Sequence, residues 1–378
     1  MEKPLSDKSI LSDRNYQVPF LKFIFSIIVL LNHIGRYLAN APEILKRHQG
    51  SFAVEFFFIC SGYFMVNSYF KSDNNTDTCA GNTWMFMKRK ISNLALPVTI
   101  GYVISFIIRI GDLYILGNNN FSNISNIFAY GIESITEGFV IHGTGLHLFP
   151  ATGITWYISC MLISMLLLYY LLCRYKDTFL YIIAPLTGIL ITAYMYKVIG
   201  GYDSWENFSG IVSIGLIRAI GGLCLGCTAY VISEKLSKIQ FTKVGRVSIS
   251  ILEIIIYAAI FYGLFIYSYS FAMHSALTIW IVPLVAVIMS KISYVSLIFT
   301  NPKWNMLGTV SLYIYISHWR IVMLFANHFN DLSFKKSFVL IWFFVIVLSF
   351  VEYGIYRIIK SNGNKIKLIF IETDKFEQ

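Results

Sequence analysis

The chain has 378 residues, of which 56% are hydrophobic and only 13% charged, with a mean hydropathy of +0.64 and a formal net charge of +10. A soluble domain carries about 25% charge, so the soluble globular and disordered classes are excluded. The positive charge gathers in one set of loops, which argues for membrane orientation and against a nucleic-acid partner.

Apolar runs long enough to cross a bilayer, about 20 residues each, recur from end to end. They predict an all-α polytopic membrane bundle with about ten transmembrane helices, near 18–39, 52–70, 94–116, 153–173, 179–199, 211–232, 248–271, 274–290, 306–326 and 337–359. Residues 1–378 read as a single integral domain with tails of about 1–17 and 360–378. The eighth run is short, and Tyr294–Thr300 either extends it or forms an interfacial turn before Asn301-Pro302. With the N-terminus inside, the inner segments hold 20 Lys and Arg and the outer segments 6. The positive-inside rule then predicts both termini in the cytoplasm. Ala39-Asn40-Ala41 resembles a signal cleavage site, but Lys22, Asn32, His33 and Arg36 interrupt the apolar run, and a retained first helix is expected.

In the first run His33 follows Lys22 by eleven residues. At 100° per residue this returns to nearly the same helix face, roughly 16 Å along the axis. Ionisable groups inside a bilayer are costly and read as functional. A cation near one end and an imidazole deeper in the stripe point to an anionic ligand and to proton transfer. Lys22 either snorkels to the interface or meets a phosphate; His33 is either a base or a structural hydrogen-bonding group.

The second run opens Val54-Glu55-Phe56-Phe57-Phe58-Ile59-Cys60-Ser61-Gly62-Tyr63. A buried Glu55 needs a partner; it orients His33 or pairs with Arg218 or Arg320. Ser61-Gly62 suits close helix approach, and nothing in the sequence supplies a base for Ser61. Lys88, Arg89 and Lys90 form a basic cluster before the third run. The outer segment of about 117–152 contains no Lys or Arg, but it holds Glu133, Glu137, His142 and His147, with both histidines read as loop residues. Gly222 and Gly226 form a GxxxG expected at a helix contact. Cys224-Leu-Gly-Cys227 lies in an apolar helix without further ligands, which argues against a metal or redox role. Ser311, Tyr315 and His318 fall at i, i+4 and i+7 and share a face; that stripe is either a helix-packing network or the wall of a site. Arg320 is expected to point away from it, toward the outer interface.

These motifs, in this order from about residue 18 to 330, resemble the acyltransferase-3 family of integral membrane acyltransferases. The resemblance rests on Lys22 and His33, the Val54–Tyr63 segment, Thr155-Trp156-Tyr157-Ile158-Ser159, Arg218 with Gly221, Gly222 and Gly226, and Gly308 through Ser311, Tyr315 and His318. The family more often has Arg at the position of Lys22. Here Lys88–Lys90 lie farther before Pro97 than the family's basic residues do, and Glu352-Tyr353-Gly354 stands where it usually has Glu-Lys-Pro.

The resemblance implies transfer of an acyl group, expected to be acetyl, from acyl-coenzyme A (acetyl-CoA) to a hydroxyl of a cell-surface or lipid-linked glycan. The donor would be a substrate, with no tightly bound cofactor and no metal, and the setting a bacterial cytoplasmic membrane. His33 would be the catalytic base, with Glu55 in the catalytic group. Lys22, Lys88, Arg89 and Lys90 would meet the donor, and Ser61, Trp156, Arg218, Ser311, Tyr315 and His318 would wall the site. Two rival classes are a secondary transporter of an organic anion, which predicts internal repeats that the halves do not show, and a non-catalytic scaffold for glycan assembly.

Overall fold

The computed structural model describes residues 15–46, 50–72, 78–115, 124–138, 141–146, 151–201, 205–267, 270–329 and 331–376. Ten helices among these are long and apolar enough to cross a membrane. We number them α1 (Gln17–Tyr37), α2 (Ala53–Lys71), α3 (Cys79–Ile115), α4 (Trp156–Arg174) and α5 (Lys176–Ile199), then α6 (Ile214–Ser237), α7 (Lys243–Phe265), α8 (Phe271–Ser290), α9 (Trp304–His328) and α10 (Phe334–Phe376). As ten alternating crossings they bring the start of α1 and the end of the α10 span to one face, here the terminal face; the opposite one is the far face.

Most element positions agree with the hydrophobic runs; the large departures are the third, which starts well before 94, and the tenth, whose helix continues past 359 to Phe376. α3 begins at Cys79 and has 37 residues, about 55 Å at 1.5 Å per residue. Its first turns therefore extend beyond a hydrocarbon core of about 30 Å. Polar residues lower the hydropathy of those turns without breaking the helix, and Pro97 is accommodated inside it. The segment expected to extend or follow α8 is separate. Lys291 adopts a left-handed φ of 56° and ends α8, and a 3-10 helix runs from Tyr294 to Phe299.

α6 is the central helix. It packs against α2, α4, α5 and α8, while α1 lies along α9. The α2–α6 crossing is a backbone contact. A Cβ on Gly62 would lie 2.1 Å from the Leu223 carbonyl oxygen, and one on Gly226 would lie 2.1 Å from that of Ile59. Hydrophobic burial does not drive helices together in lipid, so this close packing is itself a source of association. Cys224 and Cys227 sit in the same seam as buried free thiols.

The seam gives a direct test. Gly62→Leu forces the two backbones apart and should cost about 3 kcal/mol or more, as overpacking does. Gly354→Leu, at a position with open space around it, should leave stability nearly unchanged. Thermal unfolding of the two variants in detergent measures the contrast; equal midpoints would remove the seam from the stability argument.

Candidate active site

The stripe on α1 faces two different cavities. In the far half, His33 lines a chamber of about 260 Å³, with Asn32, Arg36 and Tyr37 from the same helix. Trp156, Arg218, Tyr315 and Trp319 enter it from α4, α6 and α9, and Trp205 and Glu206 from the segment before α6. In the terminal half, Lys22 lines a second chamber of about 220 Å³ with Lys90, Ser61, Tyr157 and Ser311. Tyr315 is the one residue found in both walls among the described residues.

His33 is half-buried and held by ring contacts. Trp319 stands edge-on to it at 4.8 Å, Tyr37 lies nearly parallel at 5.9 Å, and His318 lies 5.2 Å behind it. His33 Nδ1 is buried without a hydrogen-bond partner among the described residues, and the side chain lines the chamber. A neutral imidazole with one free nitrogen in a polar chamber is equipped to accept a proton.

His318 takes a different place from the one expected. It is fully buried, lines neither chamber, and its Nδ1 lies 3.0 Å from the Ile314 carbonyl of its own helix. The residue that extends the stripe into the site is Trp319, eight positions after Ser311 and four after Tyr315. Continuing the i, i+4 spacing finds it in the sequence; the i+7 step to His318 turns toward the back of His33.

Of the roles open to Glu55, the structure contains the ion pair with Arg218. Arg218 Nε and Nη2 donate to Glu55 Oε1 at 2.9 and 2.6 Å, and both side chains are buried. The Arg218 guanidinium also lies over the Trp156 ring, 5.3 Å from its centre. Glu55 thus joins α2 to α6 and sets the position of Arg218 in the chamber wall. Among the described residues no contact between Glu55 and His33 is present, and of the expected alternatives it is the pairing with Arg218 that the structure contains.

Lys22 and Lys90 share the second chamber, and neither has a carboxylate partner among the described residues. Lys22 Nζ lies 5.3 Å from the Phe64 ring centre. Lys88 and Arg89 are exposed on the same helix as Lys90, so the basic cluster divides into one inward and two outward groups. Two ammonium groups in one apolar chamber repel each other and favour an anion between them. Ser61 and Tyr157 bring their hydroxyls within 3.3 Å there, and Ser311 donates to the Gly308 carbonyl of its own helix.

The segment leading into α4 is fixed by a clasp that the sequence reading missed. The buried Glu137 carboxylate accepts from Thr152 N, Thr152 Oγ1, Gly153 N and Thr155 Oγ1 at 2.7–2.9 Å. His142, expected as a loop residue, is buried in a 3-10 turn with Nδ1 3.1 Å from Thr155 Oγ1 and 3.4 Å from Glu137 Oε1. His147 lies outside the described residues. Arg320, expected at the outer interface, is buried and donates to the Ala151 carbonyl at 2.6 Å. Gly153 has φ +77°, and a Cβ there would lie 2.3 Å from the Trp319 indole nitrogen. The acidic pair Glu133 and Glu137 in a segment without Lys or Arg was the available signal; which backbone groups Glu137 would bind was not.

Ten apolar helices thus enclose two chambers, one lined by His33 and the other by Lys22 and Lys90, which have no carboxylate partner among the described residues. A family model described as an acyltransferase domain matches residues 15–351. The chain therefore belongs to the acyltransferase-3 family and is a membrane acyltransferase. Neither a curated protein nor a solved structure matches it significantly.

The Glu55–Arg218 pair makes a stability prediction separate from catalysis. Arg218→Met leaves a buried carboxylate unpaired and should cost about 3–5 kcal/mol, whereas the double change Glu55→Leu with Arg218→Met should be closer to the wild type. A double-mutant cycle on thermal unfolding checks this. A double variant at least as unstable as the single would show that the pair is not the term being measured.

Proposed function

We propose that this protein is an O-acyltransferase that moves an acetyl or other short acyl group from acyl-coenzyme A to a hydroxyl of a surface or lipid-linked glycan. The observation that carries the reading is the division of the α1 stripe: unpaired Lys22 and Lys90 in one chamber, His33 in the other, with the two meeting at Tyr315. Coenzyme A presents phosphates, and two ammonium groups without carboxylates suit them. Exposed Lys88 and Arg89 at the start of α3 add to the field that draws the donor in. With the terminal face in the cytoplasm, as the basic bias of the loops predicts, the donor chamber opens toward the donor pool.

The acceptor is proposed for the His33 chamber. Trp156, Trp205 and Trp319 give apolar ring faces for sugar C–H groups, and Asn32, Arg36 and Glu206 give hydrogen-bonding groups. His33 Nε2 takes the hydroxyl proton as the oxygen attacks the thioester carbonyl. The C–O bond forms, the C–S bond breaks, and the coenzyme thiolate leaves toward Lys22 and recovers a proton. Arg218, held by Glu55 and Trp156, places a fixed positive charge at the chamber wall.

Mass analysis of surface glycans from cells with and without the protein tests the reaction. His33→Ala should lower transfer by roughly 10²–10⁴, the worth of one general base, with normal insertion into the membrane. Transfer retained within a few-fold would take His33 out of the mechanism.

The donor side has its own readout. Lys22→Gln and Lys90→Gln should each raise the apparent KM for the acyl-coenzyme A donor while leaving that for the acceptor unchanged. Lys22→Arg should keep substantial activity, because it keeps the charge and adds a bidentate fork. Kinetics of purified protein at two salt concentrations check this. An unchanged donor KM in both Gln variants would move the donor site away from this chamber.

A further inference from the structure

The two chambers share one lining side chain. Tyr315 is 7% exposed and lines both. Its hydroxyl donates to the Ile154 carbonyl at 3.0 Å, reaching from α9 to the segment that leads into α4. Around it lie Phe57 at 6.2 Å, Tyr157 at 5.9 Å and His318 at 5.8 Å between ring centres. Together these rings form an aromatic cluster, and of its members only Tyr315 lines both chambers.

We propose that the Tyr315 ring is a movable septum between the donor and acceptor chambers, closed by its hydrogen bond to Ile154 and opened by rotation of the side chain during transfer. The names donor and acceptor rest on the function proposed above; the septum rests on the two chambers alone.

The partner of the septum is fixed. Ile154 lies between Gly153 and Thr155, both held by Glu137, so the carbonyl that receives the phenol does not travel with it. Tyr315 borders both chambers, so a change of its rotamer would connect them without a helix moving. A neutral hydrogen bond has a small net worth, about two- to tenfold in an equilibrium. That is enough to favour the closed rotamer and too little to lock it. A permanently open connection would let water from the acceptor side reach the thioester, and a permanently closed one would keep the hydroxyl from it.

Accessibility of an introduced thiol tests the septum without any acyl transfer. Ser61→Cys marks the Lys22 chamber and Asn32→Cys the His33 chamber, in a background with Cys79 and Cys173, the two cysteines that are not fully buried, replaced by Ala. The probe is an anionic, membrane-impermeant thiosulfonate, which the lysines do not repel. It is applied to intact cells and to inside-out vesicles. Whichever preparation labels Asn32→Cys presents the His33 side, and that same labelling reports that each variant is folded.

From that side Ser61→Cys should label slowly with Tyr at 315 and at least tenfold faster with Tyr315→Ala. Tyr315→Phe keeps the ring and drops the hydrogen bond, and should fall between, about two- to tenfold faster than wild type. If the Ala variant fails the Asn32→Cys check, Tyr315→Leu takes its place. Equal Ser61→Cys labelling rates across the series, with Asn32→Cys labelling intact, would overturn the septum. They would leave the acyltransferase reading untouched, just as loss of glycan acylation in His33→Ala would leave the septum untouched.

Discussion

The contact on which the rest of this bundle depends is the meeting of the α2 and α6 backbones at Gly62 and Gly226. In lipid, no hydrophobic gain pulls two apolar helices together; close van der Waals packing and interhelical polar bonds do. The glycines supply the first and thereby create the second. With the axes this close, Glu55 reaches Arg218 toward the far face, and the Tyr63 and Ser233 hydroxyls come within 3.4 Å toward the terminal face. Gly222 of α6 also lets Phe58 of α2 pack directly against the helix backbone. Tyr157 of α4 packs on Phe58, 4.6 Å between ring centres. The walls of both chambers are built outward from this seam.

Polar groups within the bilayer must find partners inside the protein, and most of those described here do. Ser317 donates to Glu352, Gln17 binds Glu253 and Tyr257, and His328 binds Asp112. Against that background the exceptions carry the information. Among the described residues Lys22 and Lys90 have no carboxylate partner, and His33 Nδ1 is one of several buried polar atoms without a hydrogen-bond partner. A cation left unpaired in an apolar chamber costs stability, and that cost is tolerated where a ligand supplies the missing charge. The pairing of Glu55 with Arg218 follows the opposite logic: it is complete in the protein alone and positions what surrounds the site.

The fold was legible in the sequence because hydrophobic run length is nearly sufficient to define membrane helices. The failure at α3 has a physical reason: its first turns are helical but polar, so hydropathy marks where the membrane begins and not where the helix does. Helical spacing found Lys22, His33, Ser311 and Tyr315, and the family resemblance added Ser61, Trp156 and Arg218; all line a chamber. His318 shows the limit of that reasoning. It shares a face with Ser311 and Tyr315, yet a face about 100° wide has a front and a back, and the neighbouring helix decides which is which. Trp205 and the Glu137 clasp lie in non-periodic segments, where nothing in the spacing tells which backbone amides a carboxylate will meet.

A single polar channel along the α1 stripe would satisfy the same residues with less machinery, and the structure does not have one. Lys22 and His33 are about three turns apart on one helix, with a chamber around each and aromatic rings between. Such rings keep the dielectric low where the two chambers approach, so fixed charges such as Arg218 act more strongly there than they would in water. On the proposed reading, the donor's phosphates and the acceptor's hydroxyls place different demands on a binding site: ammonium groups for one, aromatic faces and hydrogen-bonding groups for the other. Under that reading, dividing α1 between two chambers would let one helix serve both, with Tyr315 as the side chain that the two walls share.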